Sequence, residues 1–181
     1  MRTLISMTGV MLALAAPVGA QQLCDTSSGT QAYDYQSICV SSALAPQSGN
    51  RYDIRSLRDS DSRTAWCEGR SGHGIGETIS FDYRFAGPLN TIWISNGYAK
   101  SSKSFTSNSR VKDITVHFWA QDDMERRTMS YRLEDHGVEQ PIPLPWSHLQ
   151  PRSIQIVIDS VYPGTRWQDT CVNEIWPDWG M

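Results

Sequence analysis

Two carboxylates and a hydroxyl crowd one short stretch of the chain, Leu57-Arg58-Asp59-Ser60-Asp61-Ser62-Arg63-Thr64-Ala65-Trp66-Cys67-Glu68-Gly69. Asp59, Asp61 and Thr64 fall within a single turn, whose backbone carbonyls can point inward as well. Hard oxygen donors of this kind suit calcium, which takes roughly six to eight oxygens with little demand on geometry. The other reading of the same residues is an Asx-turn, in which Asp59 and Asp61 accept hydrogen bonds from backbone N–H groups two residues on. An EF-hand is excluded, because its third acidic position falls on Arg63 and its closing glutamate on Arg70.

Other reactive arrangements are missing. Gly72-His73-Gly74-Ile75-Gly76 is glycine-rich, but it leads into a strand and so offers no helix N-terminus to a pyrophosphate. The chain contains no G-x-S-x-G elbow, P-loop or H-E-x-x-H motif. A carboxylate pair such as Glu68 and Glu77 imitates a glycosidase only in composition, since any chain of 181 residues offers such pairs. The expectation is a protein without catalysis of its own.

The four cysteines, Cys24, Cys39, Cys67 and Cys171, read as disulfide partners if the chain is exported. Met1–Ala20 supports export: one Arg, an apolar run from Val10 to Ala16, and small residues at Val18-Gly19-Ala20 where a signal peptidase cuts. The run is shorter than the ~20 apolar residues a bilayer requires, and Gln21-Gln22-Leu23 before Cys24 is a poor lipidation site. The chain is therefore expected in a secreted or periplasmic setting, with no membrane insertion. Zinc is disfavoured, because no C-x-x-C pair exists and His73, His117, His136 and His148 lack ligand spacing. Three complete pairings remain open. Cys24 and Cys39 are close enough in sequence to staple the N-terminal segment, which leaves Cys67 and Cys171 to close a much longer loop. Loss of Arg2 with the leader takes the formal net charge from −3 to −4. Nucleic acid, which selects basic patches, is accordingly not an expected partner.

The elements that must position these residues are strands. Apolar residues alternate at Ile79, Phe81, Tyr83 and Phe85, at Ile114, Val116 and Phe118, at Met129, Tyr131 and Leu133, and at Ile154, Ile156 and Ile158. Leu89–Ile94 is a further strand between Gly87-Pro88 and Asn96-Gly97. The prolines of 141–151 belong on an edge or in a loop, because proline lacks the N–H a central strand needs. No long segment has the 3.6-residue apolar spacing of an amphipathic helix. The expected fold class is all-β, a sandwich or jelly roll over residues 50–181, preceded by a signal peptide (1–20) and a polar N-terminal leader or irregular strand (21–49).

Four blocks, in order, carry a family resemblance. The first is Asp59 with Thr64 and Trp66, close to the D-G-x-x-x-T-x-W loop of discoidin-like (coagulation factor 5/8 type C, galactose-binding-like) domains. The next are Gly74-Ile75-Gly76-Glu77 with Ser95-Asn96-Gly97-Tyr98-Ala99-Lys100-Ser101, and then Asn108-Ser109-Arg110-Val111-Lys112-Asp113. The last is Val161-Tyr162-Pro163-Gly164-Thr165-Arg166-Trp167-Gln168-Asp169-Thr170-Cys171-Val172-Asn173-Glu174-Ile175. Together they resemble the glycan-binding or translocation domain associated with secreted bacterial NAD glycohydrolases.

That resemblance implies a discoidin-like jelly-roll β-sandwich acting as a non-catalytic binding module. Its ligand would be a glycan or other cell-surface group, or, in an accessory role, a protein partner such as an enzyme or toxin. It implies a structural calcium under the Asp59, Asp61 and Thr64 loop, with Glu174 of the last strand completing the set. It places the first and last blocks near each other, which favours a Cys67–Cys171 bridge and leaves Cys24 with Cys39, and it puts Trp66 in the core. Sugar binding needs aromatic faces for the C–H surface of a pyranose and planar polar groups for its hydroxyls. The expected ligand residues are Asn96, Tyr98, Lys100, Arg166 and Trp167.

Overall fold

The computed structural model of the chain describes residues 22–123 and 125–179, so the expected signal peptide lies outside the described residues. Among the described residues twelve strands run in chain order: β1 (Leu23–Ser28), β2 (Tyr35–Val40), β3 (Trp66–Cys67), β4 (Thr78–Tyr83), β5 (Thr91–Asn96), β6 (Ser109–Val111), β7 (Asp113–Ala120), β8 (Arg126–Arg132), β9 (Gln140–Pro143), β10 (Pro151–Ile158), β11 (Val161–Tyr162) and β12 (Thr170–Asp178). One sheet has the order β1-β2-β4-β10-β7-β8, and the other β11-β6-β12-β5-β9 with β3 paired to β12. The chain is a two-sheet β-sandwich, as its alternating sequence implies.

The alternation translates directly into the core. In β7 the residues Ile114, Val116 and Phe118 are fully buried while their neighbours are only partly covered. Ile154, Ile156 and Ile158 of β10 face the same interior, opposite Ile92, Ile94 and Ile142 of the other sheet. Successive side chains of a strand point to opposite faces, so these runs give each sheet one apolar face to bury. Phe85 departs from the expected face. β4 ends at Tyr83, and the Phe85 ring is 67% exposed beyond the strand. β9 with its two prolines sits at a sheet edge, where a missing N–H breaks no ladder.

Two features differ from the sequence reading. Residues 23–40, read as part of a polar leader or irregular strand outside the sandwich, form β1 and β2, and β2 is an interior strand paired to β4. Ile38 and Val40 are fully buried in the shared core. The inward face of β2 also carries Gln36, 1% exposed, whose amide donates to Tyr83 Oη and whose carbonyl accepts from Arg58 Nη1. A satisfied glutamine on that face breaks the apolar alternation that would have marked a strand. The serine-rich stretch after Lys100 is a short helix, α1 (Ser102–Ser107), with Ser101 Oγ accepting the N–H of Ser104 as its cap.

Two disulfides brace the sandwich. Cys24–Cys39 joins directly paired residues of β1 and β2. Cys67–Cys171 joins β3 to β12 across a sequence separation of 104 residues. The second bridge packs with Ala65 and Tyr98 in a small buried cluster beside the main core.

Candidate functional site

At one end of the sandwich, connecting segments remote in sequence enclose a cleft of ≈ 220 Å³ lined by Leu44, Gln47, Ser48, Tyr52, Asn108, Trp167 and Asp169. Each wall is held by a definable interaction. Leu44 follows a segment in which Ser42 carbonyl accepts the Trp66 indole N–H at 2.8 Å, and Leu44 N–H donates to Cys67 carbonyl. Ser41 and Ser42 hydroxyls both donate to the Glu77 carboxylate, which also pairs with Arg70 at 2.9 Å. Gln47 and Asn50 exchange backbone hydrogen bonds across a tight turn, with Ser48 at φ 52 inside it. Tyr52 is braced from behind by an edge-on contact with Tyr98, ring centroids 6.1 Å apart.

Trp167 forms the opposite wall and is 48% exposed. Its N–H and that of Arg166 both donate to the Ser107 carbonyl, which ties the loop to the end of α1. The loop can lie this close only because residue 164 is glycine. A Cβ there would fall 2.4 Å from the Trp167 carbonyl oxygen and 2.5 Å from that of Ser107. The Arg166 guanidinium stacks over the indole at 4.6 Å.

The five ligand residues expected from the sequence therefore separate. Trp167 lines the cleft, Arg166 stacks on its ring, and Lys100 does not line the cleft but donates to Asn50 Oδ1 at 2.9 Å, beside the turn that carries Gln47 and Ser48. Tyr98 is 6% exposed and packs on the Cys67–Cys171 bridge, so it supports Tyr52 instead of facing a ligand. Asn96 is fully buried. Its amide donates to Val111 carbonyl and its oxygen accepts Val111 N–H, both within 3.0 Å, which fixes β5 to β6 and occupies the amide at both ends. Tyr52, Gln47, Ser48 and Leu44 went unrecognised because they lie on the boundary of the stretch read as a leader. Asn108 and Asp169 stand inside the motif blocks, but nothing in their spacing marks them as lining a shared cleft.

Glu68 and Glu77 are not poised for acid–base work. Glu68 is fully buried, and its oxygens accept the N–H groups of Arg70 and Thr170. Burial pushes its carboxyl above the usual range. Glu77, 4% exposed, is held by the two serines and Arg70 described above.

The Asp59 loop lies elsewhere, against β12. Asp59 Oδ1 accepts Asp61 N–H at 3.0 Å and the Thr64 hydroxyl at 2.9 Å, and Asp61 Oδ1 accepts Arg63 N–H at 2.9 Å. These are successive Asx-turns, with Ser60 between them at φ 56. Glu174 does reach the loop, as the resemblance implies: its Oε1 accepts Asp61 N–H at 3.2 Å. The donor set does not, however, fit calcium. The Asp61 carboxylate is turned away onto Arg63 in a paired contact at 2.7 Å, which pulls its carboxyl down to about 2. Asp59 faces Arg51 at 3.4 Å. The Thr64 carbonyl is taken by the Asn173 amide, and the Asp61 carbonyl by the Thr64 N–H at 3.0 Å with the Asn173 amide 3.4 Å away. Among the described residues no three His, Cys, Asp or Glu side chains converge as metal ligands would.

Burial and the nearby Asp59 charge push the Glu174 carboxyl up to about 7. A carboxyl raised from its unfolded value of 4.5 favours the folded state in its protonated form, so this contribution is present below about pH 4.5 and lost as pH rises through 7. Glu174→Gln keeps an acceptor for Asp61 N–H and removes the charge. The variant is expected to melt above the wild type at pH 8 and to converge with it near pH 4.5. The gap at pH 8 is of order 1 kcal/mol, since the carboxyl borders an open cleft and solvent screens part of the repulsion. Parallel melting profiles across that range would remove Glu174 as the cause.

Comparisons with known proteins agree with this fold. Solved structures with the same sandwich include the family 32 carbohydrate-binding module of Clostridium perfringens NanJ in complex with galactose. That match has 13% identity and a TM-score of 0.56, and it covers 77% of this chain and 90% of the other. A second family 32 module from C. perfringens, in complex with GalNAc-β-1,3-galactose, matches at 12% identity and TM-score 0.57 over 78% of this chain and 94% of that one. The family 32 module of Streptococcus pneumoniae EndoD matches at 10% identity and TM-score 0.56, with coverages of 78% and 94%. No curated protein sequence matches the chain. A family model does match, over residues 30–177, and by that match the chain belongs to the NAD glycohydrolase translocation F5/8 type C domain family.

Proposed function

We propose that this protein is an exported, non-catalytic binding module that takes a glycan in the cleft between Tyr52 and Trp167. The observation that carries the reading is the cleft's composition. An exposed indole and a tyrosine ring stand over a small concave space edged by Gln47, Ser48, Asn108 and Asp169. Aromatic faces cover the C–H surface of a pyranose, and planar amide and carboxylate groups meet its hydroxyls. The likeness to modules solved with galactose-containing sugars supports the same reading.

The two disulfides support an oxidising compartment, secreted or periplasmic. Among the described residues no helix is long and apolar enough to cross a membrane. A protein partner, the reading suggested by the family's translocation role, would call for a flat apolar patch instead of a polar-edged cleft.

The test is a glycan array probed with the purified protein and with Trp167→Ala and Tyr52→Ala. Trp167 is half exposed, so its loss is expected to leave the melting temperature nearly unchanged while weakening binding about tenfold or more, equivalent to about 1.4 kcal/mol of stacking. Tyr52→Ala is expected to weaken the same sugars. Lys100→Ala, which removes a contact to Asn50 of the Gln47–Asn50 turn, is expected to have a smaller effect that fades with salt. Silence of the wild-type protein across the array would overturn the glycan reading and leave the protein partner ahead.

A further inference from the structure

The Asp59 loop keeps the outline of a cation-binding turn while filling it from within. Asn173 is 3% exposed, and it is the extra residue of a β-bulge: Val172 pairs with Asn96 and Glu174 with Ser95, so two steps on β12 oppose one on β5. A bulge re-aims the side chain it carries. Here it directs the Asn173 amide into the loop, where Nδ2 donates to the Thr64 carbonyl and lies 3.4 Å from that of Asp61. Both partners are carbonyl oxygens, which can only accept, so the NH2 end of the amide must face them. A cation seated between those carbonyls would need the space this nitrogen holds and the lone pairs it occupies.

Two of the loop's three carboxylates also have cationic partners from the chain itself, while the third, Glu174, accepts the Asp61 N–H. Arg63 pairs with Asp61 at 2.7 Å and Arg51 with Asp59 at 3.4 Å. The Thr64 hydroxyl lies 2.9 Å from both oxygens of Asp59 and 3.1 Å from the Asp61 carbonyl, so it is held within the loop. We infer that Asn173 does in this chain the work of a structural cation: its amide, delivered by the β12 bulge, clasps the Asp61 and Thr64 carbonyls and holds the loop to the last strand without metal. Changing that amide to a carboxylate would reverse the arrangement, because Asn173→Asp replaces two donors with acceptors at the centre of an oxygen-lined turn. The inference concerns the loop alone and stands whatever the Trp167 cleft binds.

Thermal melts of the purified protein test it directly. The wild-type midpoint is expected to coincide in chelator and in about 10 mM calcium, a concentration that saturates even the weak sites of extracellular modules. Terbium luminescence excited through tryptophan is expected to stay at background. A calcium-dependent rise of the wild-type midpoint, or saturable terbium binding by the wild-type protein, would overturn the inference, and this arm needs no variant to fold. Asn173→Ala strands the Thr64 carbonyl, while the Asp61 carbonyl keeps the Thr64 N–H at 3.0 Å, and is expected to lower the midpoint by about 5 °C without introducing calcium sensitivity. An unchanged midpoint in that variant would overturn the clasp. Asn173→Asp is expected to melt lower than wild type in chelator and to recover with calcium, and a folded Asn173→Asp protein indifferent to calcium would show that the amide does not stand where a cation would.

Discussion

Replacing Cys67 and Cys171 together by alanine is expected to lower the melting temperature by about 10–20 °C. The bridge spans 104 residues, and by the chain-entropy account a loop of that length in the unfolded state is worth about 4–5 kcal/mol. For a domain of this size each kcal/mol moves the midpoint by about 2–4 °C. Both sulfurs are essentially buried, at 1% and 0% exposure, so small cavities add to the loss. The double variant avoids leaving a free thiol. It also slackens the packing of Tyr98 on the bridge, and through Tyr98 the position of Tyr52 in the cleft wall. The Cys24–Cys39 bridge closes a separation of only 15 residues between strands that already pair with each other. Its removal is expected to cost less, about 3 kcal/mol by the same account. Calorimetric melts of the two double variants check the order, and a larger loss from the Cys24–Cys39 pair would refute it.

Trp66→Ala is expected to cost about 3–5 kcal/mol, enough to leave a marginal domain largely unfolded at physiological temperature. Trp66 is fully buried and is among the largest side chains in the core. Its indole N–H also satisfies the Ser42 carbonyl, which the truncation would strand. Trp66→Phe fills much of the space and removes only that hydrogen bond. It is expected to fold, to lose about 1–2 kcal/mol in urea unfolding, and to weaken ligand binding at the cleft, because Ser42 anchors the segment that carries Leu44. Phenylalanine and alanine variants equally destabilised would mean that the hydrogen bond, not the packing, carries the residue's contribution.

The strands were legible wherever a single face is uniformly apolar. Ile114, Val116 and Phe118 announce β7, and Ile154, Ile156 and Ile158 announce β10, because a period of two leaves them one possible side. β2 was not legible. Its buried Gln36 finds partners in Tyr83 and Arg58, residues 47 and 22 positions away, and no local pattern reports such partners. The loop chemistry was half legible. Asp59, Asp61 and Thr64 do form one turn with Glu174 beside it, but whether oxygens that converge in sequence space hold a cation depends on what else reaches them. Arg51, Arg63 and Asn173 reach them, and only the third lies far enough away to need the fold to deliver it.

The cleft illustrates the same division. Trp167, expected from its type and its place in the last block to face a ligand, stands half exposed in the cleft wall. Tyr98 and Asn96, equally suited by type, were claimed by the interior once β5 came to lie between β9 and β12.

The sequence by itself determined the all-β class, the strands with clean alternation and the family blocks, because these depend on side-chain type and short-range spacing. The tertiary structure decided which aromatics face solvent, which loops share a cleft and how the Asp59 turn is filled. Those outcomes rest on contacts between segments as far apart as Tyr52 and Trp167, or Asp61 and Asn173, whose proximity is created by sheet order and by one bulge in the last strand.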